Sequence, residues 1–229
     1  MIPLRDLNPS RGTPIVTRLL LVTNLALWIY TVTLIRTPNA LDNFYATYAF
    51  DWSVFSAALG EGRWTTATFT PLLSHMFLHG GWLHVLGNML YLWIFGDNVE
   101  ERLGGLRFLV FYLLSGFIAA IGQGLVSPGP MVGASGAIAG LLGAYVILFP
   151  GARVSTLVFL GIFISIIQLA ALVVIGFFIL IQLVDGLAQL RVTGAESAEN
   201  VAYFAHLIGF AAGVTLVLFL RPARRAWKR

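Results

Sequence analysis

Apolar runs as long as a bilayer core is thick recur along this sequence, and they leave few folds open. A helix needs roughly 20 apolar residues to cross the hydrocarbon. Candidates are Leu19 to Ile35, Trp82 to about Leu103, Phe108 to Val126, Val132 to Phe149, about Ala170 to Leu190, and Val201 to Leu220. Of the 229 residues, 58% are hydrophobic and 10% are charged, whereas soluble domains carry about a quarter charged residues. One domain of this size cannot bury so much apolar surface away from water. The expected fold is therefore all-α: a polytopic membrane bundle with six transmembrane helices. The first run lacks a small-residue cleavage site and reads as a retained span rather than a signal peptide.

Charge sets the expected topology. Arg5, Arg11 and Arg18 precede the first run, and Arg221, Arg224, Arg225, Lys228 and Arg229 follow the last. Basic flanks mark the cytoplasmic side, so both termini are expected there, which requires an even number of crossings. With six, Arg102, Arg107 and Arg153 also fall inside, and only Arg36, Arg63 and Arg191 fall outside. Residues 154 to 169 then read as an apolar connecting loop or a shallow re-entrant piece. The domain plan is a cytoplasmic tail (1–18), a six-span unit (19–220) and a basic cytoplasmic tail (221–229). The segment from Arg36 to Gly81 carries Trp52, Phe55, Trp64 and Phe69 among polar residues, a mixture suited to the membrane interface. The pI of about 9.8 follows from these topology signals, so no nucleic-acid partner is inferred. The chain has no cysteine, which excludes disulfides, thiolate metal sites and cysteine nucleophiles.

Polar side chains inside apolar runs need a partner or a water-filled cavity. His84 and Asn88 are four apart on one helix face, about a turn inside the second run. Ser135 opens the fourth run, and His206 lies near the start of the sixth. All three runs are expected to begin on the outer side, which puts these groups at one depth. Gly136, Gly140 and Gly143 form a stripe on the fourth run, and Gly209 and Gly213 share the face of His206. Small residues at this spacing let membrane helices approach closely, which would carry Ser135 to His206. Gly133 supplies a turn that exposes the serine. The chemistry this permits is acyl transfer by a dyad. His206 would take the Ser135 proton, and Asn88, His84 and the Ser135 backbone N–H would serve the oxyanion. No buried carboxylate is available to orient His206.

Other readings fit the same residues. A serine between glycines is commonly a packing device, and a membrane histidine can be structural or line a transport path. His79 and His84 are five apart and lack the intervening glutamate of a zinc-protease helix, so no metal site is expected. His79, before Gly80 and Gly81, suits a structural hydrogen bond in a loop. His75 is expected at the interface. Gln123 and Gln168 have no assigned role.

Three blocks, HGGWLHVLGNMLYLWIFGDNVEERLG (79 to 104), GASGAIAG (133 to 140) and AHLIGFAAG (205 to 213), resemble in order the signatures of the rhomboid intramembrane serine proteases. The resemblance implies a bacterial-type, multi-pass protein of the cytoplasmic membrane with its active site opening to the extracytoplasmic side. It implies Ser135 as nucleophile, His206 as base, His84 and Asn88 as oxyanion donors and His79 as a structural histidine. Gly209 would mark the contact between the fourth and sixth spans. The implied activity is cleavage in or beside transmembrane segments of single-span or polytopic membrane proteins, without cofactor or metal. A catalytically silent rhomboid-like protein that binds membrane clients is the alternative. Where the family often has an aromatic one turn after the serine, this sequence has Ala139, so the resemblance does not say what orients His206.

Overall fold

The computed structural model describes residues 1–10, 12–160, 163–190 and 202–221. Arg11, Arg191, Val201, Arg224, Arg225, Lys228 and Arg229, used above for topology and span limits, lie outside the described residues, as does the tail beyond Arg221. The element order is β1 (Ile2–Asp6), α1 (Ile15–Leu34), α2 (Ala40–Tyr48), β2 (Phe50–Asp51), α3 (Trp52–Gly60), α4 (Thr66–Ser74), a 3₁₀ turn (His75–Phe77), α5 (Trp82–Leu103), α6 (Gly105–Val126), β3 (Pro130–Met131), α7 (Ser135–Leu148), β4 (Arg153–Leu160), β5 (Phe163–Ala170), α8 (Ala171–Gln189) and α9 (Tyr203–Leu220). Each expected apolar run has its helix, with ends shifted by a few residues. Among the described residues, α1, α6, α8 and α9 are long and apolar enough to cross a membrane. The apolar α7 has 14 residues. The 22 residues of α5 end in the polar sequence Asp97, Asn98, Glu100, Glu101 and Arg102.

Helix α1 starts at Ile15 rather than Leu19, and the reason lies on another helix. The carboxylate of Glu100, on α5, accepts the backbone N–H of Val16 at 2.9 Å and of Thr17 at 2.7 Å, plus the Thr17 hydroxyl at 2.7 Å. An acid placed there satisfies free N–H groups and meets the positive end of the helix dipole.

The purely helical expectation fails at this end of the molecule. Of the stretch from 154 to 169, read as an apolar connecting loop or a shallow re-entrant piece, residues 154–160 and 163–169 are extended strands, β4 pairing antiparallel with β5 from Arg153↔Ala170 to Leu160↔Phe163. Strand β1 joins the other edge of β4, giving the order β1-β4-β5. The segment is rich in Val, Ile and Phe, whose branched or aromatic side chains suit a pleated strand better than a helix. The N-terminal residues assigned to a tail are thus partly a strand. Its Asp6 accepts hydrogen bonds at 2.7 Å from the Tyr145 hydroxyl of α7 and from the Asn98 amide of α5. A second, two-stranded sheet pairs Phe50 with Met131 and Asp51 with Pro130, tying the 36–81 segment to the loop before α7. That segment is a set of short helices, not a crossing, and it inserts side chains into α6. Trp52 lies against Gly124 and Met76 against Gly116.

Helix α7 is the centre of the bundle, buried continuously from Gly136 to Tyr145. It packs chiefly on α9, with α6 and α5 around it. The α7–α9 contact is backbone on backbone. A Cβ on Gly209 would strike the Gly136 carbonyl, one on Gly213 the Gly140 carbonyl, and one on Gly143 the Phe210 carbonyl. With no hydrophobic driving force between helices in lipid, this close van der Waals fit holds the pair together.

Gly213→Ala is therefore expected to destabilise the detergent-solubilised protein by about 1–3 kcal/mol through overpacking. Gly87→Ala on α5, where an added Cβ meets nothing within 4 Å, should stay within about 0.5 kcal/mol of wild type. Reversible denaturation in mixed detergent measures both, and equal effects would refute the backbone contact.

A second expectation concerns pH. Burial, the largest influence, and then the nearby Asp97 push Asp6 up from 3.8 to about 6, against the opposing effect of the Tyr145 hydrogen bond. The folded state thus disfavours the Asp6 carboxylate. Its stabilising contribution is full below pH 3.8 and is lost as pH rises through about 6. Hydrogen exchange at Leu4 to Leu7, corrected for intrinsic rates, should show stronger protection at pH 5 than at pH 8. Asp6→Asn should remove the difference, and equal protection in wild type at both values would contradict the assignment.

Candidate active site

The starts of α5, α7 and α9 come together, with Gly133 close to His84 and Gly136 close to Ala205, at the end opposite the three-stranded sheet, whose Asp6 bonds to late turns of α5 and α7. Four of the polar groups singled out from sequence, His84, Asn88, Ser135 and His206, lie on the early turns of these helices, and Gly133 sets Ser135 beside His84. A cavity of about 620 Å³ is not part of this cluster. That cavity lies at the sheet end, where Arg5, Asp6, Arg18, Trp93 and Asp97 line it.

Ser135 is the first residue of α7, and Gly133 brings the chain into it. Gly133 has φ +131°, a conformation that residues with a Cβ rarely adopt. Its N–H donates to the His75 carbonyl at 2.8 Å. A Cβ on Gly133 would come 2.7 Å from His84 Nε2 and 3.4 Å from Ser135 Oγ. Only glycine fits between the serine and the imidazole of α5. The next glycine, Gly136, lies against Ala119 and against Ala205 of α9. A Cβ on Gly136 would stand 3.8 Å from that of Ala205, the residue before His206.

Each histidine has its own setting. His84 Nδ1 takes the Gly80 backbone N–H at 3.4 Å. That places the ring proton on Nε2, the nitrogen facing Gly133 and Ser135. His79 is fully buried, with its ring edge-on to His84 at 5.0 Å between centroids, and its carbonyl accepts the Tyr45 hydroxyl at 2.7 Å. His75, expected at the interface, is instead 1% exposed. Its carbonyl is the acceptor that fixes Gly133, and its Nδ1 lies 3.1 Å from the Pro71 carbonyl. Asn88, one turn after His84, is buried, and its Nδ2 has no hydrogen-bond partner among the described residues. An unpaired buried N–H is costly, and its presence beside this cluster fits a donor kept for a ligand.

His206 is 8% exposed. Its Nδ1 lies 2.6 Å from Gln182 Oε1 of α8, and its ring is 5.9 Å from that of Phe178. Sequence reasoning missed Gln182. The signal was available, because it is the sole polar side chain between Ala171 and Val184. Gln123, left without a role, accepts the Ala205 N–H at 3.0 Å through its Oε1 and so caps the start of α9. Gln168 lies on β5 opposite Ser155, far from the cluster along the chain. Among the described residues, no group of three His, Asp or Glu side chains could hold a metal ion.

The cluster gathers a hydroxyl at a helix start, a ring nitrogen aimed beside it, an unpaired amide and a second imidazole anchored from behind. Comparison with known proteins bears on the same region. A family model described as the Rhomboid domain matches residues 65–223, which contains every group in the cluster. The chain is 40% identical over 89 residues to the Rhomboid protease GluP of Bacillus subtilis, covering 39% of this chain and 17% of that protein. It is 34% identical over 154 residues to RHOMBOID-like protein 1 of Arabidopsis thaliana, covering 66% and 35%. It is 38% identical over 71 residues to the Rhomboid protease GlpG of Yersinia pestis, covering 31% and 26%. The matches thus span well under half the length of these relatives. With membrane-spanning helices and a family domain over more than half its length, this integral membrane protein belongs to the rhomboid family.

Proposed function

We propose that this chain is an intramembrane serine endopeptidase that cuts other membrane proteins in or beside their transmembrane segments. The carrying observation is the meeting of α5, α7 and α9 at Gly133 and Gly136, where Ser135, His84 and the chain leading to His206 converge. The names of the relatives, two of them proteases, point the same way. In this reading α1, α5, α6, α7, α8 and α9 are six spans, both termini are cytoplasmic, and the site opens to the opposite face.

The chemistry is a two-step acyl transfer. Ser135 Oγ attacks the scissile carbonyl carbon while His206 Nε2 takes its proton. The carbonyl oxygen becomes an oxyanion, met by Asn88 Nδ2, His84 Nε2–H and the Ser135 backbone N–H at the positive end of α7. Collapse breaks the C–N bond, and His206 returns the proton to the departing amine. Water, deprotonated by the same imidazole, then releases the acyl group from Ser135. Gly133 keeps the nucleophile clear of His84, and His79 supports the His84 ring. A substrate helix must unwind locally, because a closed helix hides its carbonyls. The chemistry calls for no metal or cofactor.

Reconstituted protein should cleave a model single-span substrate. Ser135→Ala and His206→Ala should each abolish cleavage. Asn88→Ala should lower kcat roughly 10²- to 10³-fold, the worth of one oxyanion donor. Cleavage that survives Ser135→Ala would remove the nucleophile from this reading. A folded wild-type protein that binds such substrates without cutting them would instead indicate a silent client-binding member of the family.

A further inference from the structure

Helix α8 is long and apolar enough to cross a membrane. From Ala171 to Val184 it offers one polar side chain, Gln182, which is 9% exposed. An amide at such a position costs free energy unless it is hydrogen-bonded. Its partner is His206 Nδ1 at 2.6 Å. The helix turns on either side of Gln182 meet the same stretch of α9. Phe178, four residues earlier, packs its ring at 5.9 Å and 43° to the imidazole. Gly186, four residues later, lies so close to α9 that a Cβ would come 3.2 Å from Tyr203 and 3.5 Å from Phe204. One face of α8 is thus shaped around the start of α9, with the glutamine at its middle.

We propose that Gln182 is the positioning residue for His206, holding the base in the one tautomer that can accept the serine proton. This rests on the protease reading above. A neutral imidazole carries a single N–H. A carbonyl oxygen at Nδ1 draws that proton to Nδ1 and leaves the lone pair on Nε2, the nitrogen that must take a proton from Ser135. If the amide turned over, its NH₂ would donate to Nδ1, the ring proton would move to Nε2, and the base would be disabled. Phe178 supplies the aromatic wall that Ala139 does not. In a dyad without a carboxylate, the amide does the orienting part of a third member's work and adds no buried charge.

The test reads the tautomer directly. In protein labelled with ¹⁵N in its imidazole rings, His206 resonances are identified by their loss in His206→Gln. At pH 8 wild-type His206 should be the Nδ1–H tautomer, and in Gln182→Met it should shift toward Nε2–H. Gln182→Met should lower kcat at least about tenfold, short of the roughly 10⁴-fold that a carboxylate partner is worth, with KM within about twofold. Gln182→Glu, which offers only acceptors to Nδ1, should restore most of kcat. A wild-type Nε2–H spectrum overturns the proposal, and so does Gln182→Met with unchanged spectrum and kcat. Should Gln182→Met fail to fold, the wild-type spectrum alone decides. Cleavage that persists in Ser135→Ala sinks the protease reading instead and leaves the tautomer result standing.

Discussion

The contact between the backbones of α7 and α9 is the constraint on which the rest depends. Glycines on both helices let carbonyls sit where side chains would stand, with Gly136 against Gly209 and Gly140 against Gly213. A contact this close has little freedom to slide, because any shift drives a carbonyl into the facing chain. It therefore fixes how the first residue of α7 stands relative to the first turn of α9. The proposed nucleophile and base occupy those two positions. Gln123, reaching from α6 to the Ala205 N–H, pins the same turn of α9 from a third side.

Two imidazoles beside this contact are held in opposite senses. The Gly80 N–H on Nδ1 makes His84 a donor at Nε2. The Gln182 oxygen on Nδ1 makes His206 an acceptor at Nε2. In the proposed mechanism one ring type thus provides both an oxyanion donor and a base, and the difference lies in what stands behind each ring. Neither partner carries a charge, which suits a site surrounded by apolar helices, where an unpaired ion would be costly. At the far end carboxylates do structural work instead, Glu100 capping α1 and Asp6 joining β1 to α5 and α7.

Much of this was legible in the sequence, for identifiable reasons. The six candidate runs all contain helices, and for α1, α6, α8 and α9 length and hydropathy decide that outcome. That Ser135, His84, Asn88 and His206 each sit on an early turn of their helices agrees with the residue spacing. The β4–β5 hairpin was not legible, since a short apolar stretch fits a strand, a loop or a buried helix, and β1 pairs with it from the other end of the chain. The early start of α1 was hidden because its cap, Glu100, is supplied by α5. His75 looked interfacial because its role is played by a backbone carbonyl, which no side-chain pattern announces. Gln182 stood out in composition, but its partner depends on how α8 is rotated against α9, and spacing along the chain does not give that.

The central claim is that Ser135 is made nucleophilic by His206. Treating the folded protein with a fluorophosphonate and locating the adduct by peptide mass spectrometry tests it without any substrate. The account predicts a single adduct on Ser135 in wild type and none in His206→Ala. A wild-type protein that stays unlabelled, or a His206→Ala variant labelled at the same rate, would contradict it.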